Sequence, residues 1–265
     1  MIKDITLGQY LPGDSVIHRL DPRVKIILST LYVVNLFIIN KFIGYMYVAI
    51  FTAFVIFLAK IPFKYIMKSL KPIIWLLLFT AVFNVLLTPG EIVYARFGPF
   101  TITDKGIYLA GFMIIRIVFL IVGTSVLTLT TSPIALTDGI ELLLNPFKRI
   151  GIPAHELAMM MTIALRFIPT LIDETDKIIK AQKARGADFE SGNIINRAKN
   201  LIPILVPLFI NSFRRADELA LAMEARCYKG GEGRTRMKQF NIDKNDYISI
   251  VVMVCFIIIS ILSRR

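Results

Sequence analysis

The sequence predicts an all-α membrane protein with about five transmembrane helices and a separate cytoplasmic region of amphipathic helices. Two observations favour this class over a soluble domain. Hydrophobic residues make up 55% of the 265 positions, and the mean hydropathy is +0.66; one soluble core needs far less apolar material. The apolar residues are also concentrated in a few long runs, whereas residues 131–246 interleave charged and apolar stretches.

Five apolar runs approach the length of about 20 helical residues that crosses roughly 30 Å of hydrocarbon. They are residues 26–40, 42–59, 73–88, 107–130 and 247–262. Only Lys41 separates the first two runs, which together are too long for one crossing, so they are interpreted as a tight helical hairpin. The sequence therefore predicts an N-terminal membrane domain (1–130) with four spans and a fifth span in the C-terminal segment 247–265.

The charges in the loops predict the orientation. The loop 60–71 contains four lysines and no acidic residue, which is typical of the cytoplasmic side. The N-terminus and residues 131–246 then also lie in the cytoplasm. The same bias explains the net charge of +12, so nucleic acid is not an expected partner. Five spans leave Arg264 and Arg265 outside against this rule, and a sixth crossing would remove the conflict; both counts stay open.

The cytoplasmic region contains apolar blocks that do not suit spans. Pro203 and Pro207 interrupt the short block 201–213, and the block 157–172 contains Arg166 and Pro169, both unfavourable in a membrane helix. Such blocks lie at the membrane surface, pack on one another or cover another protein. The sequence leaves these alternatives open.

A nearly identical tripeptide occurs twice in this region. Ala184-Arg185-Gly186 and Ala225-Arg226-Cys227 each fall in the last turn of a predicted helix, 173–187 and 211–227. Small residues on both sides leave the guanidinium projecting, so that its fork can bind carboxylates or carbonyls of another protein. A single arginine here would be explained by the helix dipole alone. Two copies with matching flanks favour docking.

The chain resembles a known family in these segments. AQKARGADF (181–189), AMEARCYKGGEGRTR (222–236) and GQYLPGDSVIHRLDPRVK (8–25) are similar to the transmembrane T component of energy-coupling factor (ECF) transporters, and the likeness extends from Gly8 to Arg236. Many relatives have glycine where this chain has Cys227. Because cysteine lacks glycine's ease in the left-handed region, the second helix is expected to end differently from the first.

The resemblance implies an ATP-driven importer of vitamins or other micronutrients in a prokaryotic cell membrane. Residues 131–246 would form a cytoplasmic coupling domain whose two crossing helices each dock, through Arg185 and Arg226, on one of two ATPase subunits, a homodimer or a heterodimer. The apolar faces within 133–172 and 201–213 would hold the substrate-binding S component.

The chain itself is expected to be a non-catalytic subunit with no cofactor, metal site or catalytic residue. It contains no GxxxxGK[ST] motif. The two cysteines, Cys227 and Cys255, are not placed for a disulfide or a metal, and His18 and His155 are interpreted as surface residues.

Arg116 lies inside the fourth apolar run, where a charge indicates a functional or a pairing role. The alternative functions are a stand-alone secondary carrier or channel and, with less support, a membrane enzyme.

Local signals also predict a helix start before the first span. Asp21-Pro22 suits a cap followed by the first helical position. Arg19, Arg23 and Lys25 are expected to face anionic lipid headgroups.

Overall fold

The computed structural model describes residues 10–90, 92–97, 100–151, 153–187, 189, 193–231 and 240–263. This part of the chain is almost entirely helical, which confirms the predicted all-α class. The helices are α1 (Val16–Arg19), α2 (Pro22–Ile38), α3 (Phe42–Ala59), α4 (Phe63–Leu70), α5 (Ile74–Leu87), α6 (Asp104–Thr130), α7 (Pro133–Leu144), α8 (Ala154–Ala184), α9 (Ile194–Ala225) and α10 (Lys244–Leu262).

A β-hairpin lies between α5 and α6. Its strands β1 (Val93–Phe97) and β2 (Phe100–Thr103) are antiparallel, with Arg96 opposite Thr101. The absence of a long apolar run between the third and fourth spans predicts only an outer loop here, although two short runs rich in β-branched and aromatic residues flank Gly98-Pro99.

Five helical segments of the described chain are long and apolar enough to cross a membrane. They are Phe42–Ala59, Phe63–Leu87, Asp104–Thr130, Ala154–Ala184 and Lys244–Leu262. The number matches the predicted five, but the membership differs. The first predicted span corresponds to α2, which has 17 residues and is about 25 Å long, whereas α8 meets the criterion despite Arg166 and Pro169. Arg264 and Arg265 lie outside the described residues.

The chain divides into two compact units. Of the residues that the structure describes, those within 10–139 and 240–263 form the first unit, and those within 140–231 form the second. Two apolar clusters form the core of the first unit. One surrounds Leu36 and Val48, which are completely buried, and the other surrounds Leu129 and Val122.

In the first unit, buried carboxylates tie the start of α2 to the start of α10. Asp21 caps α2 and Pro22 is the first helical residue, as predicted. The Asp246 carboxylate accepts hydrogen bonds from the backbone amides of Asp21 and Asp243, both at 2.8 Å. Burial alone would raise the pKa of the Asp21 carboxyl, but the hydrogen bonds from Arg23 outweigh it and hold that pKa below its usual value.

Of the three basic residues expected to face lipid headgroups, Arg19 is exposed, Arg23 has a partner within the protein, and for Lys25 the expectation was wrong. Arg23 pairs with Asp21, at 2.7 Å between Nη2 and Oδ2. Lys25 is only 6% exposed, and its Nζ donates to the carbonyls of His18 and Thr130, each at 3.0 Å. Because these carbonyls solvate the ammonium, the side chain is satisfied inside the protein.

Candidate functional site

The two Ala-Arg-small motifs end the two longest helices of the second unit. α8 and α9 have 31 and 32 residues, so each begins far earlier than the predicted starts at 173 and 211. The helices continue through Pro169 in α8 and through Pro203 and Pro207 in α9. Each proline removes one backbone donor, but neither helix is terminated.

Both helices end in the same hydrogen-bond pattern. At the end of α8, Gly186 N donates to Lys183 O and Ala187 N donates to Gln182 O, both at 3.0 Å. At the end of α9, Cys227 N donates to Glu224 O at 2.8 Å. Tyr228 N donates to Met223 O at 3.0 Å. These paired bonds define a Schellman motif, which satisfies the last carbonyls of a helix.

The backbone angles agree as closely as the hydrogen bonds. Arg185 has φ −89° and ψ 7°, and Arg226 has φ −90° and ψ 13°. The residue after each arginine is left-handed, Gly186 with φ +86° and Cys227 with φ +56°. The expectation that Cys227 makes the second helix end differently was therefore wrong: cysteine adopts the conformation that glycine provides in the first.

We call Ala184-Arg185-Gly186 the first tip and Ala225-Arg226-Cys227 the second tip. All six residues are exposed. Among the residues that the structure describes, none accepts a hydrogen bond from either guanidinium. A helix C-terminus also concentrates negative potential, so each arginine is stabilised in place while its fork stays available to another molecule.

α8 and α9 lie side by side and are linked by polar contacts. The Glu174 carboxylate accepts hydrogen bonds from Asn211 Nδ2 and, at 3.4 Å, from Arg215 Nη2. Further along α8, Gln182 Nε2 donates to Pro203 O at 3.3 Å. Because later residues of α8 meet earlier residues of α9, the two helices are antiparallel and the tips lie at opposite ends of the pair.

One face of α9 is apolar and is not covered by the rest of the second unit. The residues of this α9 apolar face are between 47% and 67% exposed: Leu201, Ile202, Leu205, Val206, Phe209, Ile210 and Phe213. Their spacing of three and four residues forms a continuous stripe. Packing of the apolar blocks on one another within the second unit, one of the alternatives left open by the sequence, does not account for this stripe. Exposed patches of this kind mark contacts with a partner or a membrane.

His155 is a residue whose role the sequence did not indicate. Its Nδ1 lies 3.0 Å from Glu141 Oε1. Its ring also packs against Gly231, where an added Cβ would lie 2.6 Å from the imidazole Cδ2. His155 thus joins the start of α8 to the segment that follows the second tip.

Arg116 has its partners within the first unit. Its Nε donates to the Tyr45 hydroxyl and its Nη2 to the carbonyl of Ile39, both at 3.1 Å. The guanidinium carbon lies 4.8 Å from the ring centre of Phe112 and 5.4 Å from that of Phe37. Of the two roles predicted for Arg116, pairing therefore has partners in the structure: a hydroxyl, a carbonyl at the end of α2 and two aromatic faces.

Comparisons with known proteins agree over almost the whole chain. A sequence model of the CbiQ family, described as cobalt transport protein, matches residues 13–237. An energy-coupling factor transporter transmembrane protein EcfT from Clostridium kluyveri is 62% identical over 265 residues, covering 100% of this chain and 98% of the relative. Proteins with the same name from Thermosediminibacter oceani and Bacillus subtilis are 57% and 48% identical, over 99% and 96% of this chain and 99% and 97% of their own lengths.

Proposed function

This chain belongs to the CbiQ family, among the transmembrane proteins of energy-coupling factor transporters, and we propose that its two tips dock on two ATPase subunits and transmit their movement to a substrate-binding S component. ATP is then hydrolysed by the partner subunits and not by this chain. The transported substrates are vitamins or other micronutrients.

The observation that carries this proposal is the duplication of one helix end. The same pattern of hydrogen bonds, nearly the same arginine angles and a left-handed residue directly after the arginine occur at the ends of α8 and α9. Dipole compensation requires a positive charge at a helix end, but it does not require identical backbones or small flanking residues. A pair of matching exposed arginines suits a pair of similar receptor clefts, in which an arginine fork binds carboxylates or carbonyls.

The α9 apolar face supports the second half of the proposal. Seven large apolar side chains along about 18 Å of helix provide a surface without charged groups. Such a surface holds a partner by burial of apolar area, which is non-directional and suits exchange between several S components. Phe209 and Phe213, at 60% and 67% exposure, are the largest side chains available to anchor that contact.

The proposed orientation places residues 131–246 in the cytoplasm as a coupling domain, flanked by the membrane domain 1–130 and the span in 247–265. Closure of the ATPase pair on binding ATP moves the two tips relative to each other. Since Glu174 and Gln182 of α8 are hydrogen-bonded to α9, this movement shifts the α9 apolar face and tilts the bound S component, which releases its substrate to the cytoplasm.

Co-purification with the ATPase subunits tests the proposal directly. The tagged chain, isolated in mild detergent, is expected to bring two ATPase chains with it. Arg185→Glu and Arg226→Glu should each weaken that association, because leaving one buried member of a charge pair unpaired typically costs about 2–5 kcal/mol. The double variant should abolish ATP-driven uptake while still inserting into the membrane.

Two exposed lysines provide matched controls. Lys180→Glu in α8 and Lys229→Glu after the second tip reverse the same charge close to the tips and should leave association intact. Wild-type uptake by the double arginine variant would refute the proposal. Isolation of the chain alone, with transport intact in liposomes, would instead support a stand-alone carrier.

A further inference from the structure

Glu174 lies at the same distance along the sequence from its tip as its partner Arg215 does from the other tip. Arg185 follows Glu174 by 11 residues, and Arg226 follows Arg215 by 11 residues. At 1.5 Å per residue, each segment is about 16 Å long. We call 174–185 and 215–226 the two arms. Because the helices are antiparallel, the arms extend in opposite directions. Glu174 lies level with Asn211, as Gln182 does with Pro203, so about 26 residues of helix, roughly 39 Å, separate the tips along the pair.

Neither arm contains a proline, whereas in both helices a proline precedes the contact by about one turn. Pro169 precedes Glu174 by five residues, and Pro207 precedes Asn211 by four. Pro207 cannot donate to the carbonyl of Pro203, and Gln182 of α8 donates to that carbonyl instead. Intact hydrogen bonding makes the arms stiff, and the proline turns are where a helix bends at least cost.

The Glu174 contact is specific in geometry but only partly buried. Its two carboxylate oxygens bind two different side chains of α9, Asn211 and Arg215, which stand one helical turn apart. The exposed fractions are 18% for the Glu174 side chain and 35% for that of Arg215. Solvent screening makes such a pair a weak contributor to stability, so its main effect is to fix which turns of the two helices meet.

We propose that Glu174 is a positioning residue: it pins α8 to α9 between the two tips, so that the angle between the arms sets the tip-to-tip distance and carries movement from one tip to the other. This inference rests on the proposed function. Loss of the contact would leave each tip able to bind its ATPase subunit, since each helix end is built locally, but would remove the charged link between the helices and so widen the range of angles between the arms.

The distance between the arms can be measured on the full-length chain alone. Ala181 and Ala222 are exposed and each lies four residues before its arginine, so Ala181→Cys and Ala222→Cys in a Cys227→Gly, Cys255→Ala background place a spin label on each arm. Pulsed electron paramagnetic resonance in detergent should give one narrow distance distribution. Glu174→Gln should broaden it and Glu174→Arg more so. Glu174→Arg combined with Arg215→Glu should restore the narrow distribution, because the charge pair is re-formed in the opposite sense.

A transport assay with the ATPase and S components in liposomes provides the second readout. Glu174→Arg should retain ATPase binding and ATP hydrolysis, while uptake per ATP hydrolysed falls roughly fivefold or more; the exchanged pair should recover it. Asp173→Asn, a change of the exposed neighbouring acid, is the control and should behave as wild type. If Glu174→Arg does not fold, the same comparison is made with Glu174→Gln.

Unchanged distance distributions and unchanged uptake per ATP in the Glu174 variants would overturn the inference, as would equal effects in Asp173→Asn. These outcomes are distinguishable from failure of the proposed function. That failure would appear as ATPase association that survives Arg185→Glu and Arg226→Glu, whereas the distance measurement needs no partner subunit.

Discussion

Cys227 occupies, at the end of α9, the left-handed backbone position that Gly186 occupies at the end of α8. The two residues donate equivalent hydrogen bonds, to Glu224 O and Lys183 O. Glycine adopts positive φ readily, whereas a residue with a Cβ is strained there. The second tip therefore maintains its conformation at a local cost that the first tip does not have.

Replacing Cys227 by glycine should remove this strain. An added Cβ at Gly186 would meet no atom within 4 Å. At the equivalent position, we therefore expect the cost of having Cys227 to come from backbone strain and not from crowding of its side chain. We expect Cys227→Gly to stabilise the protein by up to about 1 kcal/mol, since the relief is partly offset by the greater freedom of glycine in the unfolded chain. Thermal unfolding in detergent measures the change. Gly186→Val is the opposing variant and should destabilise, because a β-branched residue is a strong outlier at positive φ.

Lysine should not substitute for arginine at the tips. Arg185→Lys and Arg226→Lys keep the charge but lose the planar fork that binds two acceptors at once. On the proposed function, the affinity for the ATPase subunits should fall by about tenfold per site, which corresponds to about 1.4 kcal/mol, and less than in the glutamate variants. Titration of ATPase binding to the chain in nanodiscs tests this order. Equal affinities of the lysine variants and wild type would show that only the charge matters.

Shortening aromatic side chains on the α9 apolar face should weaken S-component association specifically. Phe209→Ser and Phe213→Ser each remove a large apolar contact, and losses of about 2 kcal/mol or more are typical when an interface anchor is truncated. ATPase association should be unchanged. Leu221→Ser on the same helix is the control, since Leu221 is 66% exposed but lies outside the face. Competition of each variant with the wild-type chain for a labelled S component measures the loss of affinity. An equal loss of affinity with Leu221→Ser would contradict the assignment of this face.

Arg116 should contribute to stability rather than carry a transported charge. Arg116→Met leaves the Tyr45 hydroxyl and the Ile39 carbonyl without their donor, and an unsatisfied buried polar group costs about 1–3 kcal/mol. Tyr45→Phe should cost less, and the double variant should show coupling between the two sites. Unfolding temperatures in detergent report these changes. Loss of uptake by Arg116→Met with an unchanged unfolding temperature would assign a functional charge instead.

The stabilisation by Asp21 should depend on pH in a defined direction. The pKa of its carboxyl is lowered in the folded protein, so its contribution is present at neutral pH and is lost as the pH falls through that lowered value. The difference in unfolding temperature between wild type and Asp21→Asn should therefore shrink as the pH is lowered from about 7 to about 3. A difference that grows on acidification would contradict the ion pair with Arg23.

The sequence predicted the features that depend on local chemistry. The Asp21-Pro22 helix start and the endings at Arg185 and Arg226 are set within a few neighbouring residues, so their letters are sufficient. Four of the predicted spans were likewise visible as apolar runs. The role of the tips and the division of the chain into three parts stay predictions.

The features that the sequence did not predict depend on distant partners. Pro203 and Pro207 indicated an interruption, but α9 continues through them, and Gln182 supplies a donor to the freed carbonyl of Pro203. Lys25 was predicted to face headgroups because Thr130, whose carbonyl accepts a hydrogen bond from Lys25, is distant in the sequence. Glu174 was visible only as one acid among several, since its significance comes from Asn211 and Arg215 on another helix.

Along the helix pair, the Glu174 contact lies closer to the first tip than to the second. Its partner Asn211 precedes Arg226 by 15 residues, whereas Arg185 follows Glu174 by 11. A rotation about that contact would therefore displace the second tip further than the first, so the two ATPase subunits docked on the tips would act with unequal leverage.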